Sequence, residues 1–393
     1  MSLDPTLAPE LAASRLWDVV VVGAGPAGAM AARELARRGA AVLLVDRAQF
    51  PRYKVCGGCL NPRSLRLLSQ AGLGDLMNRL AAVPLTNLRL AARGSYADVA
   101  LPTGAAVSRE TLDAALVREA IAAGSAFLPG TTASLQPTHG TADRRILHLR
   151  YAGRDHEVEG RIVLAANGLG GKLEEHVDGP DGETATGPVW DPHSRVGAGV
   201  MIPRVADGYE SGTIYMACAA EGYVGQVVVE DCHLDVGAAL DPLAVKGAGG
   251  PGELAAKIIA AAGFPLVPEM ASLPWKGTPH LTRQAPRVGG VRHFVLGDAA
   301  GYVEPFTGEG MAWALAGATQ VAPLALRGAS QGWDDDLLVR WRTAYRRFVT
   351  RRQFVCRMSA RVLRWPQLTS VAVRVLSVMP RLARPVLGVM YRE

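Results

Sequence analysis

Cysteine is scarce in this chain. Its five residues, Cys56, Cys59, Cys218, Cys232 and Cys356 in 393, are too few and too scattered to staple a domain of this size. Reduced thiols and a cytoplasmic protein are the expectation. Long apolar runs are missing as well: no stretch of about 18 uncharged apolar residues occurs, so no spanning helix is expected. Met1 to Arg15 lacks the basic segment and apolar run of a secretory leader, and none is expected. With 49% hydrophobic and 20% charged residues, the composition excludes a disordered or fibrous chain. The length calls for one large domain or two interleaved ones.

Net positive charge is absent from the body and concentrated at the end. From Trp333 to Glu393 there are 13 arginines against four acids, a local +9, so the first 332 residues sum to −3 of the whole-chain +6. That distribution argues against nucleic acid as a partner, which requires basic residues and stacking aromatics spread over a folded face. The tail itself keeps helical spacing at Leu338, Trp341, Tyr345, Phe348, Val355 and Val362, with Arg352 interrupting the stripe. Pro366 is expected to stop this helix, and Val371 to Met390 is apolar with interspersed arginines and prolines. Two readings stand side by side. The stripe packs on the body beneath solvated arginines, or residues 333–393 lie on the inner face of an anionic membrane.

The clearest chemistry is near the start. Trp17-Asp18-Val19-Val20-Val21-Val22 has the β-branched content of a buried parallel strand. It runs into Gly23-Ala24-Gly25-Pro26-Ala27-Gly28 and an alanine-rich helix to Arg38. A second apolar strand, Ala41 to Val45, ends at Asp46. Strand, glycine turn, helix, strand and acid form the context a G-x-G-x-x-G needs. Backbone amides at Gly23, Gly25, Ala27 and Gly28 would close on a pyrophosphate at the helix N-terminus. Asp46, with Arg47 beside it, would meet the adenosine ribose. These residues alone do not separate NAD from FAD.

A second pattern does. His293-Phe294-Val295-Leu296 reads as a buried strand running into Gly297-Asp298-Ala299-Ala300-Gly301, then Pro305-Phe306-Thr307-Gly308-Glu309-Gly310 and a helix from about Met311. With these residues the sequence resembles the FAD-dependent oxidoreductases of the geranylgeranyl reductase and class A flavin monooxygenase superfamily. The resemblance covers nearly the whole chain in layout. It implies FAD as cofactor, with Gly297 and Asp298 on the ribityl chain and Pro305 beside it. Amides of Gly308, Gly310 and Met311 would face the flavin ring from a helix N-terminus. Ser108-Arg109 opens a helix similar to the family's Arg-x-x-Leu-x-x-x-Leu element, which implies that Arg109 approaches the cofactor. Asn167-Gly168 stands where the family carries Asp-Gly; asparagine can hold such a turn through its side chain.

Lys54-Val55-Cys56-Gly57-Gly58 resembles the Lys-x-Cys-Gly-Gly loop of the geranylgeranyl reductase branch, which implies that Cys56 and Gly57 lie beside the flavin and that Cys56 polarises the reacting edge or donates a proton. Cys56 and Cys59 also form a C-x-x-C. A zinc site would require a second ligand pair, which is not in the pattern, so no metal is expected. A redox-active dithiol and simple packing remain as readings of the pair. Gly222-Tyr223-Val224-Gly225 resembles the Gly-Tyr-x-Trp stretch of geranylgeranyl reductases, with Gly225 in place of the tryptophan. The tryptophan motif of flavin halogenases is absent too. Tyr223 is a candidate for orienting substrate or donating a proton, beside the plainer reading of a packed tyrosine with a wet hydroxyl. Glu230, Glu304 and His280 are titratable without a pattern that assigns them a role.

The expected fold is α/β: a Rossmann-type FAD-binding domain built discontinuously from 1–82, 106–172 and 281–332, with an inserted antiparallel β-sheet substrate domain from 83–105 and 173–280, and a helical C-terminus over 333–393. Strands are expected at Val196 to Ile202, Gly212 to Ala217, Gly222 to Val229 and Leu234 to Leu240. The function implied is an FAD-dependent oxidoreductase reducing a carbon–carbon double bond in a large apolar substrate, isoprenoid- or polyketide-like. Hydroxylation through a flavin C4a-hydroperoxide is the alternative on the same scaffold, and a non-catalytic membrane-surface flavoprotein is the alternative of another class. No second G-x-G-x-x-G in a strand–turn–helix–strand context is read as holding NAD(P)H in a domain of its own, so NAD(P)H would dock only transiently as electron donor, and an unrelated donor fits equally well.

Overall fold

The computed structural model describes residues 2–137, 143–173, 188–204, 207–285, 287–304, 306 and 308–391. Leu16–Val22 becomes the centre of a sheet because both of its faces are covered: Val19, Val20 and Val21 are fully buried. Strands follow in the order Gly289–Gly290, His293–Val295, Arg154–Ala165, Leu16–Val22, Val42–Val45, Ala126–Leu128. The last five run parallel and Gly289–Gly290 runs against its neighbour. Val22 pairs with both Val45 and Ala165, so three strands end at one level. Open α/β sheets hold their ligands beyond such carboxyl ends. An antiparallel meander, Thr131–Leu135 with Arg145–Tyr151, continues from Arg154–Ala165.

Helices Pro26–Ala36, Arg109–Ala122 and Gly310–Ser330 cover one face of this sheet, where Met30, Leu35, Leu116 and Leu315 share a core. Pro26 suits the first turn of its helix because its missing N–H has no intrahelical partner there anyway. Ser108 caps the second helix, its hydroxyl accepting from Thr111 N at 3.1 Å.

The second sheet runs Lys276–His280, Val196–Ile202, Leu234–Leu240, Gly222–Val228, Thr213–Ala219, Val83–Ala92, Ser95–Ala106, Cys59–Leu60. The expected strands are present to within two residues. One pairing departs from the antiparallel expectation: Thr213–Ala219 runs parallel to Val83–Ala92. The hairpin 83–106 enters from one part of the chain and the meander 196–240 from another, so they join edge to edge rather than through a turn. Tyr215, Val224, Leu234 and Val236 pack beneath helix Pro251–Ala262.

Helix Asp335–Val362 begins the C-terminal segment. Its stripe packs on the first sheet at Leu338 and Trp341. The Trp341 ring is fully buried, and its Nε1 donates to Val288 O at 2.9 Å and Val295 O at 3.2 Å. Tyr345 Oη donates to Ala300 O at 3.1 Å. The stripe surfaces by Val362, which is exposed. Arg352, which breaks the pattern in sequence, lies 3.7 Å from the buried carboxylate of Glu309. Pro366 does not simply end a helix. The preceding helix stops at Val362, and Pro366 opens a further one, Pro366–Val378, because proline is tolerated in a first turn.

Replacing Trp341 with alanine removes a fully buried ring and two hydrogen bonds. The expected cost is about 3–5 kcal/mol, read as a lower denaturant midpoint, with Trp341→Phe in between. An unchanged midpoint for W341A would mean that the tail is not anchored through this ring.

Candidate functional site

One cleft of about 410 Å³ runs between the two sheets. At one end lies the glycine turn. Gly23 has φ +103°, a backbone conformation that side chains rarely adopt, and presses on the backbone of Ala166; a Cβ on Gly28 would run into Gly23 O. The turn is therefore held by close packing that larger residues would prevent. Asp46 is buried beside it. Its Oδ2 accepts from Ala24 N at 2.7 Å and its Oδ1 from Ala48 N at 2.9 Å, which fixes the carboxylate while leaving lone pairs free.

Two guanidiniums meet this turn. A Cβ built on Gly25 would lie 3.7 Å from nitrogens of both Arg52 and Arg109. Arg109 grips Asp113 with Nε at 2.8 Å and Nη2 at 2.7 Å, one turn on along its helix, while Arg52 lies 3.1 Å from the same carboxylate. Asp113 raises the Arg109 pKa further, against the opposing effect of burial. The Lys54 ammonium lies close by, its Nζ 3.1 Å from where Gly168 would carry a Cβ. Burial lowers the Lys54 pKa, Arg109 adds to that, and Asp298 opposes it.

The fingerprints at the two ends of the chain touch. A Cβ on Gly297, which opens the turn Gly297–Ala300, would sit 2.9 Å from Ala27 Cβ. Gly25, Ala27, Gly297 and Asp298 line the cleft together, as do Gly308, Gly310 and Met311 at the N-terminus of Gly310–Ser330. Glu309, at that helix start, is buried. It accepts from Asn61 Nδ2 at 3.0 Å and lies 3.7 Å from Arg63.

The loop bearing Cys56 and Gly57 lies flat on the second sheet, where a Cβ on Gly237 would fall 3.0 Å from Cys56 O. Burial pushes the Cys56 thiol up, while Arg109, which also hydrogen-bonds it, pulls it down. Cys59 Sγ donates to Gly57 O at 2.9 Å, and both cysteines are free thiols. Beneath the loop, a Cβ on Gly58 would come 2.6 Å from Asp235 Oδ2. Burial, and then Glu230, push Asp235 up to about 8, with Arg109 opposing.

Beyond the loop the cleft widens into an apolar chamber. Leu85, Leu88 and Leu90 come from the hairpin, Met216 from the meander, and Leu376 and Leu387 from the C-terminal helices. Tyr223 and Gln226 bring polar atoms. The Tyr223 ring is buried against Phe306, centroids 5.2 Å apart, with the Arg195 guanidinium 5.6 Å from its centroid. Its hydroxyl has no hydrogen-bond partner among the described residues. Burial first, then Glu304, hold its pKa well above the ordinary tyrosine value.

Most residues singled out in the sequence thus converge. Gly23 and Gly28 build the turn behind the lining, and Asp46 sits beside it. Arg47 is exposed and does not line the cleft. Pro305 lies outside the described residues. Glu304 pairs with Arg195 at 2.9 Å, Glu230 accepts from Ser108, and His280 Nδ1 lies 3.0 Å from Ser194 O; all three hold structure together. The sequence reading gave no role to Arg52, Lys54, Asp113 or Asp235. Asp113 had a local signal, four residues after Arg109 on one helix. Asp235 had only an acid between Leu234 and Val236.

The residues fit a bound dinucleotide. A glycine-rich turn faces the buried Arg109 and the half-buried Arg52, and the cleft continues past an ammonium to a helix N-terminus.

Known proteins bear this out in kind. Menaquinone reductase of Mycobacterium tuberculosis is 39% identical over 166 residues, 40% of each chain. Geranylgeranyl diphosphate reductase of Rhodobacter capsulatus is 32% identical over 164 residues, 41% of this chain and 40% of the relative. The matches therefore span about 40% of these curated relatives' own length. A geranylgeranyl bacteriochlorophyll reductase-like structure from Thermoplasma acidophilum superposes with a TM-score of 0.74, covering 95% of this chain and 98% of the other at 16% identity, a likeness of fold. A family model described as an FAD binding domain matches residues 17–223, more than half of the chain, and the protein belongs to that family.

Proposed function

We propose that this protein is an FAD-dependent oxidoreductase that reduces a carbon–carbon double bond in a large apolar, isoprenoid-like substrate. The observation that carries the reading is the continuity of one cleft from the glycine turn to a leucine-lined chamber. Sites of this kind take ligands that are mostly apolar and oriented by a few polar groups. The similarity to reductases named for menaquinone and geranylgeranyl diphosphate supports the same substrate class.

In this reading the amides of Gly25 and Ala27 would hold the pyrophosphate at the dipole of Pro26–Ala36, while Gly23, whose N–H donates to Val45 O at 2.8 Å, and Gly28 shape the turn behind them rather than binding it as expected. Arg109 and Arg52 supply the cationic side, and Asp46 takes the ribose hydroxyls. Asp298 holds the ribityl chain. Amides of Gly308 to Met311, and Cys56 and Gly57 on their loop, would hold the flavin ring in the cleft they line together. Bound FAD would supply hydride from its N5 after accepting electrons from a transient donor, NAD(P)H among the candidates. Tyr223 supplies the proton. Its buried hydroxyl keeps its hydrogen through neutral pH and has no partner among the described residues competing for it. The Cys56 thiol is engaged by Arg109, so it serves to polarise.

The test is anaerobic. Protein reconstituted with FAD and chemically reduced is mixed with menaquinone or geranylgeranyl diphosphate. Reoxidation with a product whose isoprenoid chain has gained two hydrogens is expected; two hydrogens on the quinone ring alone would overturn the double-bond reading. Failure to retain FAD would overturn the cofactor reading, and a product formed only with oxygen, carrying an added oxygen atom, would assign hydroxylation.

Three variants sharpen this reading. Asp298→Ala should weaken FAD retention on the order of tenfold or more, by loss of charge-assisted hydrogen bonds, measured by equilibrium dialysis. Tyr223→Phe should slow substrate-dependent reoxidation about 10²- to 10⁴-fold at unchanged FAD affinity; a wild-type rate would move the proton to Cys56 or water. Asp235 carries the third. Its unfolded-state carboxyl ionises near 3.9, whereas in the fold it holds its proton to about 8. The folded protein thus binds the extra proton between these values, and stability falls as pH rises across that window, by at most about 1.4 kcal/mol per unit. Asp235→Asn should flatten that slope in urea titrations between pH 5 and pH 8, and an unchanged slope would show that the acid is not buried in this way.

A further inference from the structure

The helix Pro366–Val378 is amphipathic in the wrong sense for a solvated surface. Its buried residues are Thr369, Ser370 and Val373. Its exposed face carries Leu368, Val371, Val375 and Val378 at i, i+3, i+7 and i+10, the last of them 81% exposed. Trp365 just before it and Met379 and Leu382 just after it are exposed as well. A solvent-facing helix ordinarily turns such a stripe inward, and contiguous exposed apolar surface of this kind marks an interaction site.

The charge carried by this segment has one sign. No aspartate or glutamate occurs from Leu337 to Arg392. Arg361, Arg374, Arg381 and Arg384 are exposed around the patch. Arg364 points the other way, donating to His193 O and lying 3.8 Å from Glu304, so it ties the element to the body. The inward side of the same element is part of the chamber: Leu376, Ala383 and Leu387 line it. A single layer of helix therefore separates the apolar chamber from the apolar outer face.

We propose that residues 361–384 dock on an anionic lipid bilayer, with Leu368, Val371, Val375 and Val378 in the acyl boundary and the arginines among the headgroups, and that the chamber draws its isoprenoid substrate from that bilayer past this helix. A ring of arginines around exposed aliphatic side chains is what an acidic bilayer complements, since burial and headgroup attraction act together. No helix among the described residues is long and apolar enough to cross a membrane, so the contact is made in the plane of the interface. Docking stands on the surface alone; entry of substrate by this route rests on the proposed reductase reading.

The experiment is flotation of the FAD-reconstituted full chain with vesicles of phosphatidylcholine, with and without about 30% phosphatidylglycerol, at low and high salt. Binding is expected to the anionic vesicles, weakened by salt and weaker still on phosphatidylcholine alone. Two sets of substitutions separate the contributions: Val371→Ser with Val375→Ser and Val378→Ser, and Arg361→Gln with Arg374→Gln and Arg381→Gln. Each set should lower the bound fraction about tenfold or more, with thermal melting and FAD retention unchanged. Wild-type protein that fails to float, or that floats equally on neutral vesicles and regardless of salt, overturns the proposal. So does a homodimer in light scattering that the serine set dissociates, which would assign the patch to a second copy. The flotation contains no substrate, so its failure tells against docking alone. Turnover of detergent-dispersed substrate without flotation would leave the reductase reading standing, and flotation without turnover of any alkene would do the reverse.

Discussion

The arrangement turns on a crowd of positive charge at the glycine turn. Arg109 and Arg52 share one carboxylate, Asp113, and Lys54 lies within their field. Each cation is withdrawn from water, which is costly unless paired, and Asp113 satisfies Arg109 in bidentate fashion but serves Arg52 only in part. Asp46 lies 4.0 Å from Arg52, and Asp298 acts on both Lys54 and Arg109, so the three cations are matched by carboxylates that hold them without bidentate pairing except at Arg109. An anion placed at the N-terminus of Pro26–Ala36 would meet these cations and the helix dipole together. The same arginine reaches Cys56 and opposes the upward shift of Asp235. One side chain thus links the phosphate end of the cleft to the loop beside the proposed flavin ring, and its rigid pairing to Asp113 is what keeps that link in place.

The second constraint is how closely the two sheets approach each other. The loop 54–58 lies directly on the roof, which is possible only where the roof strand has no side chain, at Gly237. The cleft stays narrow there and widens where the roof presents leucine and methionine instead. A planar ligand and a chain-like one are thereby given different shapes of space within one continuous cavity, and, among the described residues that line it, the side-chain polar atoms without a partner, Tyr223 Oη and Gln226 Nε2, fall in the wider part.

Much of this was legible in the sequence because the fingerprints are local. A glycine turn between a strand and a helix needs only neighbouring residues to specify it, and the strands Leu16–Val22, Val196–Ile202 and Leu234–Leu240 follow from β-branched or alternating runs. What escaped is long-range. That Asp235 lies beneath Gly58, or that Asn61 bonds Glu309, depends on how two sheets are laid together, and no spacing along the chain records it. The parallel pairing of Thr213–Ala219 with Val83–Ala92 is of the same kind. The tail divides along this line too. Leu338 to Phe348 could be read as a packing stripe, whereas the inward turn of Thr369 and Ser370 could not, because periodicity gives the angle between faces and not which face the body takes.

That inversion bears on the chemistry as well as on location. A hydride acceptor of isoprenoid type has little affinity for water and a large affinity for any apolar phase, so a chamber closed to the bilayer would have to extract it through solvent. Lining the chamber with Leu376 and Leu387 from the same segment that carries the exposed stripe places two apolar phases on either side of one helix. In the proposed reading, loss of water is then complete before the substrate reaches Tyr223, whose hydroxyl has no hydrogen-bond partner among the described residues and is held protonated by burial. On the same reading, dryness serves the reaction by keeping the tyrosine proton from exchanging into solvent. On the proposed function and docking, the apolar wall, the buried hydroxyl and the outward-facing valines are parts of one requirement, that the substrate never has to leave a nonpolar medium.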